Sequence, residues 1–216
     1  MKRVFSLLLL LVALCGCGPR YVDFFPCHDD GTYKPHVAFM SVLDSSCLEL
    51  PWKCAPEITS DIRYELMNNG QLFLYEADEV DTALKSIDKA QLFDSDAKIA
   101  KACRNTDFFV VMEIIEQELQ PYESVISSPY AMPNYPNQSV LTVKVRIKVL
   151  DVRAGSPRII LQEIVTKTYM VPRVCTEQTI RWADENAHWV NCIRKAHRQT
   201  AMSISRRLED VIRSAY

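Results

Sequence analysis

The 216-residue sequence contains little glycine, and this scarcity excludes several kinds of site. Only five glycines are present, and two of them are Gly16 and Gly18. A glycine-rich phosphate-binding loop therefore cannot be built. Gly-x-Ser-x-Gly, His-Glu-x-x-His and Walker sequences are also missing. The sequence predicts a protein that is not an enzyme and that holds no cofactor and no metal. An enzyme with an unrecognised site is the alternative.

A strong charge of one sign is missing as well. The formal net charge is -2 at pH 7, whereas nucleic-acid-binding proteins carry a basic footprint, so we expect no nucleic-acid partner. Hydrophobic residues make up 48% and charged residues 24% of the chain, which is typical of a globular domain. After the N-terminus, no apolar run reaches the roughly 18 residues of a membrane-spanning helix.

The N-terminus has the pattern of a bacterial signal peptide. Two basic residues precede the apolar run 4–14, which is too short to span a membrane comfortably. The sequence LCGC at 14–17 resembles the lipobox of bacterial lipoproteins, in which the last cysteine receives the lipid. We expect residues 1–16 to be removed and Cys17 to carry acyl chains, palmitate among them, because more than one chain gives durable anchoring. A plain secretory signal cleaved at a neighbouring glycine is the alternative.

The residue after the lipobox predicts the location. Gly18 stands where the lipoprotein signal for inner-membrane retention has Asp. We therefore expect the protein at the outer membrane, facing the periplasm or the cell surface. Residues 17–35 contain several prolines and are predicted to be the anchor and tether. Residues 36–216 are predicted to form a single domain.

Cysteine is plentiful, with eight residues in all. Six remain after Cys15 and the lipidated Cys17 are set aside, and an oxidising compartment would allow up to three disulfides. The predicted pairs are Cys47 with Cys54, Cys175 with Cys192 and, by default, Cys27 with Cys103. The helical spacing of Asp184, His188 and Cys192 makes a metal site conceivable, but a disulfide is the favoured use of Cys192.

Hydrophobic periodicity predicts an α+β fold, in which helices pack on a mixed sheet of about five strands. The predicted order is β-α-β-α-α-β-β-β-α. Its elements are strand 36–43, helix 56–69, strand 71–75, helices 78–88 and 95–104, strands 107–119, 140–151 and 158–170, and helix 188–215, with a further short helix at 177–187.

The segment 120–137 is a candidate for binding a partner. It contains four prolines, which exclude a helix or an inner strand. It also contains Tyr122, Tyr130 and Tyr135, and tyrosine offers contact area at a low entropic cost. An unstructured surface loop is the alternative for this segment.

The strand 140–151 is the second candidate. Its alternation places Lys144, Arg146 and Lys148 on one face. This face could contact an acidic partner or a glycan strand. The alternative is a solvated face whose cations pair with the glutamates of the preceding strand.

Several stretches resemble the penicillin-binding-protein activator LpoB, the curli secretion lipoprotein CsgG and the N-terminal domain of TolB. They are the opening strand HVAFMSV at 36–42, the helix 56–69 followed by GQLFL, and the sequence IAKACRNTDFFVV at 99–111. The resemblance covers about residues 36–215. The chain also resembles the cysteine-containing envelope lipoproteins of chlamydiae. These resemblances describe a fold more than an activity.

Taken with the anchor, the resemblance implies an accessory factor that binds or scaffolds an envelope complex, in cell-wall synthesis or in secretion. The expected partners are the membrane, through the N-terminal lipid, and an envelope protein. A CsgG-like pore subunit is the alternative, although it needs strands of about ten alternating residues in pairs, and only 140–151 alternates well. Self-association into a homo-oligomer is left open.

Overall fold

The computed structural model describes residues 25–50, 52–121, 138–172 and 187–216. Within these ranges the chain forms six strands, four α-helices and one short 3₁₀ helix. They are β1 (His36–Phe39), β2 (Leu43–Asp44), α1 (Cys54–Asn69), β3 (Phe73–Leu74), α2 (Ala77–Leu84), the 3₁₀ helix (Lys89–Asp94), α3 (Asp96–Ala102), β4 (Phe108–Pro121), β5 (Gln138–Asp151), β6 (Arg158–Pro172) and α4 (Ala187–Ala215).

The six strands form one mixed sheet in the order β3-β1-β4-β5-β6, with β2 also paired to β4. β1 runs parallel to β3 and to β4, while β4, β5 and β6 form an antiparallel meander. The predicted α+β fold is therefore confirmed. The extra strand is β2, which is only two residues long and so leaves no alternating pattern in the sequence.

One face of the sheet is covered along its length by α1 and α4. The inward positions of β5, such as Val143 and Val145, are fully buried there. α4 contributes Ile193, Ile204 and Leu208 to the same core. Their spacing along α4 keeps them on one side of the helix, so a single long helix can close this face. We call it the α4 face.

The opposite face is covered over only part of its length. α2, the 3₁₀ helix and α3 pack on Phe109, Val111 and Leu150, at the start of β4 and the end of β5. The strands continue well beyond these helices. The second face therefore has a covered half under α2–α3 and an open half over which no described element packs.

Several element boundaries differ from the prediction, and the predicted strand 36–43 is divided into β1 and β2. α1 begins two residues early and ends, as predicted, at Gly70, whose φ of +67° is accessible to glycine at low cost. α2 ends at Leu84, four residues before the predicted end. β4 and β5 are longer than predicted because their ladder continues to the pair Pro121 and Ser139. The predicted helix 177–187 lies, except for its last residue, outside the described residues.

The described part of the predicted tether is folded against the domain. Cys27 and Tyr33 form an isolated antiparallel bridge, and the amide of Lys34 donates to the carbonyl of Pro26. The Lys34 side chain is fully buried. This stretch of the predicted tether therefore forms a closed turn.

Candidate functional site

The cations of the predicted basic face are paired within the protein. Lys144 Nζ lies 2.8 Å from Glu116 Oε2, and Arg146 Nε lies 3.1 Å from Glu113 Oε2. Both glutamates are on β4, directly opposite the cations in the ladder. The cross-strand pairing expected from the alternation is thus what forms, and it leaves little uncompensated positive charge for an acidic partner.

The prediction that Lys148 contacts a partner is wrong. Lys148 is 4% exposed, and its Nζ donates to the Phe93 carbonyl and to Asp96 Oδ1, both at 2.6 Å. The 3₁₀ helix and the start of α3 cover it. Its role is to attach these helices to β5. The neighbouring Arg146 guanidinium stacks on the Phe93 ring at 3.8 Å, so Arg146 marks the border of the covered half.

Five of the predicted site residues lie outside the described residues. They are Cys17, Tyr122, Tyr130, Tyr135 and Cys175. Their assigned roles stay predictions. The ends of the tyrosine-bearing segment are nevertheless placed, because β4 ends at Pro121 and β5 begins at Gln138.

The predicted disulfides between Cys47 and Cys54 and between Cys27 and Cys103 are not formed, and all four thiols are free. Cys54 is buried in the core under α4, whereas Cys103 is buried under α2–α3 on the other face. Burial raises the pKa of each of these two thiols to about 11. Each behaves as a small apolar core residue. The number of cysteines alone therefore wrongly predicted that these two form disulfides.

The metal alternative gains nothing from the part of the chain that the structure describes. Cys192 Sγ lies 3.8 Å from His188 Nε2 on the neighbouring turn of α4, and the third residue of that motif, Asp184, lies outside this part. No group of three or more metal-ligating side chains occurs within it. Cys175 also lies outside this part, so its predicted disulfide with Cys192 stays a prediction.

The open half presents a three-stranded surface that sequence reasoning did not single out. Its residues are all exposed or half-buried and adjacent in the ladders. They are Glu116, Glu118 and Gln120 of β4, Val140, Thr142 and Lys144 of β5, and Ile164, Thr166, Thr168 and Met170 of β6. Two of them are large apolar side chains in water, with Ile164 57% and Met170 50% exposed.

The sequence of β6 contains a pattern that indicates this surface, but only weakly. Along β6 every second residue from Gln162 to Met170 is exposed, while those between are half-buried. The exposed row mixes apolar and hydroxyl side chains, so it does not read as the solvent face of an amphipathic strand. The structure adds that this row continues across Thr142 and Val140 of β5.

A buried polar pair lies under α4, on the opposite face of the sheet. His197 Nε2 and Gln117 Oε1 are 2.9 Å apart, and the Gln117 amide nitrogen is 3.3 Å from Ser46 Oγ. Because the amide nitrogen faces the serine, we assign the proton to His197 Nε2. His197 Nδ1 is buried without a hydrogen-bond partner among the described residues. Burial lowers the pKa of His197 to about 4, with a smaller opposing effect from Asp44.

Comparison with known proteins gives a family and a fold. The model of DUF7499, a family of unknown function, matches residues 23–216. The hypothetical protein CT253 from Chlamydia trachomatis is similar in structure, with a TM-score of 0.58 and 21% sequence identity over 83% of this chain and 98% of that chain. No curated protein matches the sequence.

Two further structures are similar over much of their length but superpose less well. Lipoprotein GNA1162 from Neisseria meningitidis has a TM-score of 0.43 and 12% identity, covering 74% of this chain and 97% of that chain. A PelC dodecamer from Paraburkholderia phytofirmans has a TM-score of 0.39 and 14% identity, covering 82% of this chain and 88% of that chain. Among the described residues, no helix combines the length and the apolar character needed to cross a membrane.

Proposed function

We propose that this chain, which belongs to DUF7499, a family of unknown function, is a lipid-anchored envelope protein. It binds a protein partner through the open half of its sheet. Because the family has no known function, the proposal is argued from the surfaces of the chain itself. In this role it acts as an accessory or scaffolding factor of an envelope complex and not as an enzyme. The anchor is Cys17, and the location is the outer membrane.

The observation that carries the proposal is the exposure of Ile164 and Met170 on a surface whose residues are adjacent in the strand ladders. Met170 lies beside Val140 of β5, and grouped apolar side chains in water mark interaction sites on soluble domains. Between these two residues β6 exposes only threonine hydroxyls, at Thr166 and Thr168. The centres of protein interfaces are depleted of charged residues and enriched in methionine and aromatic residues, and the β6 side of the open half has this character.

The charges of the open half favour a protein partner over a polyanion. Lys144 is the one cation among its ten residues, and it is held by Glu116 at 2.8 Å. Glu118 adds an exposed carboxylate. A surface with a compensated cation and a free anion repels nucleic acid and anionic glycan, because both depend on uncompensated cations.

The tyrosine-bearing segment is part of the same proposal. Its flanking residues Pro121 and Gln138 end the ladder beside Val140 and Met170. The segment therefore leaves and rejoins the sheet at the far end of the open half. We propose that its three tyrosines extend the same contact. The pore and enzyme alternatives gain no specific support from the described residues.

The test is capture of the partner from intact cells after crosslinking, with matched variants on one strand. Ile164→Glu and Met170→Glu each place a charge in the open half. Ile159→Glu is the control, because Ile159 lies on the same strand at 45% exposure but outside the open half. We expect both open-half variants to lose the partner that the wild type and Ile159→Glu retain. Retention by all three variants would overturn the proposal.

A further inference from the structure

The outer edge of β6 is a long strand edge. β6 is the last strand of the sheet, it is 15 residues long, and no described residue pairs with its outer side. Such an edge spans about 50 Å at the usual rise per residue. Its only proline is the terminal Pro172, so nothing inside the strand blocks pairing. Natural proteins pair, cover or charge edges of this kind.

We infer that a second copy of this chain occupies this edge, with the two β6 strands paired antiparallel around a twofold axis at Val165. This goes beyond the proposed function, since it concerns the backbone edge of β6, although Ile164, Thr166 and Thr168 on that edge also belong to the open half. The argument rests on the sequence of β6, which is complementary to itself in one register.

Charge selects that register. Directly opposite residues in an antiparallel pair must point to the same face, so the twofold axis has to pass through a residue. Only the register centred on Val165 places Glu163 opposite Lys167 of the second copy, and symmetry forms this ion pair twice. A register centred on Glu163 or on Lys167 would instead oppose like charges, which is unfavourable.

The uncharged positions agree with the same register. On the α4 face, Leu161 meets Tyr169 of the second copy. On the other face, Ile164 meets Thr166, and Gln162 meets Thr168. These are apolar, β-branched and polar pairs of the kinds that stabilise antiparallel strands, and each occurs twice. The pairing also covers part of the exposed Ile164 side chain.

The contacts within one copy leave the key charges available. Glu163 accepts from the Arg207 guanidinium at 3.3 Å, and Arg207 remains half exposed. Lys167 has no ion partner among the described residues. A twofold axis perpendicular to the sheet keeps the two open halves on the same side. Pairing through β6 would therefore bring the two open halves together around Ile164 and Thr166, and the rest of each would extend in opposite directions from the axis.

A charge exchange measured on the full chain in detergent tests the inference. Sedimentation at several concentrations gives the dimer dissociation constant. We expect Lys167→Glu to weaken the dimer by about tenfold or more, because two attractive pairs become repulsive. Glu163→Lys should act similarly. The double exchange Glu163→Lys/Lys167→Glu should return the dissociation constant to within about threefold of the wild type.

Disulfide trapping checks the position of the axis. In the inferred register Val165 faces its own copy at a Cα separation of about 4.5–5.5 Å, which a disulfide can bridge. Val165→Cys should therefore give a covalent dimer. Thr168→Cys is the control, because the two copies of Thr168 would lie about 20 Å apart. The wild type, with its native cysteines, is run beside both variants.

The outcomes separate this inference from the proposed function. A chain that is monomeric throughout, a dimer that the charge exchange leaves unchanged, or equal trapping at Val165 and Thr168 would overturn the inference. None of these results affects partner capture by the open half. Conversely, a dimer with the expected charge response would stand even if Ile164→Glu and Met170→Glu left every captured partner in place.

Discussion

The two halves of the sheet face opposite α4 are built from the same strands, but their lysines differ in burial and in the contacts they make. Lys148, in the covered half, is 4% exposed and ties two helical elements to β5 through Asp96 and the Phe93 carbonyl. Lys144, four residues earlier on the same face, makes a single ion pair across the strands and stays about one-third exposed. Residues of one type on one strand face therefore serve folding in one half and the surface in the other.

The largest expected difference is in stability. Lys148→Met should lower the free energy of unfolding by about 3 kcal/mol, because it leaves the Asp96 carboxylate and a buried carbonyl without their cation. Urea denaturation of the full chain measures the loss. A loss below about 1 kcal/mol would show that the contacts of Lys148 are replaceable by solvent and that the covered half is loosely held.

On the face under α4, the titration of His197 makes the free energy of unfolding depend on pH. The pKa of His197 is lowered to about 4 in the folded protein, against about 6.5 in an unfolded chain. The unfolded chain therefore takes up the proton first, and stability that is complete above pH 6.5 is lost as the pH falls towards 4. We expect a loss of about 2 kcal/mol by pH 5.

Denaturation midpoints across this pH range measure the effect of His197. His197→Gln should flatten this part of the profile, since it keeps a donor for Gln117 and removes the titrating group. The nearby Asp44 is unchanged in the variant. A profile for His197→Gln as steep as that of the wild type would assign the acid sensitivity to other groups.

Lys144→Met should have a smaller effect than Lys148→Met. The pair with Glu116 is more than one-third exposed on both sides, and exposed ion pairs contribute about 0–1 kcal/mol. The same urea titration measures the change, and added salt should reduce it further. If Lys144→Met and Lys148→Met were equally destabilising, the distinction between the two halves would be lost.

The smallest expected effect on folding is at the open half itself. Ile164→Thr should change the free energy of unfolding by no more than about 0.5 kcal/mol, because the side chain is 57% exposed and surface substitutions are usually this mild. Thermal melting checks it. A large loss would mean that Ile164 supports the fold of its own chain, and its exposure would then not be available as a binding feature.

The sequence predicted the elements because their patterns are local. The alternation of β5 and the apolar stripe of α4 each fixed a face, and Gly70 marked the end of α1. The pairing of Lys144 with Glu116 followed from the same alternation. The short strand β2 was missed because two residues are too few to show an alternating pattern.

The sequence could not show which elements cover each face of the sheet. Alternation placed Lys148 beside Lys144 and Arg146, but the burial of Lys148 depends on helical elements more than 50 residues earlier in the chain. His197 and Gln117 are 80 residues apart, and no motif joins them. The disulfide prediction failed for a related reason, since the sequence did not show that Cys54 and Cys103 are each buried in a hydrophobic core cluster.

Photocrosslinking in living cells tests the central claim most directly. A photoreactive amino acid replaces Thr168, between Ile164 and Met170 on the β6 side of the open half, and in a second strain it replaces Arg206, which is exposed on α4. The account predicts a crosslinked envelope protein that is specific to position 168 and absent at position 206. The same product at both positions, or none at position 168 in cells that hold the protein at its normal level, would contradict it.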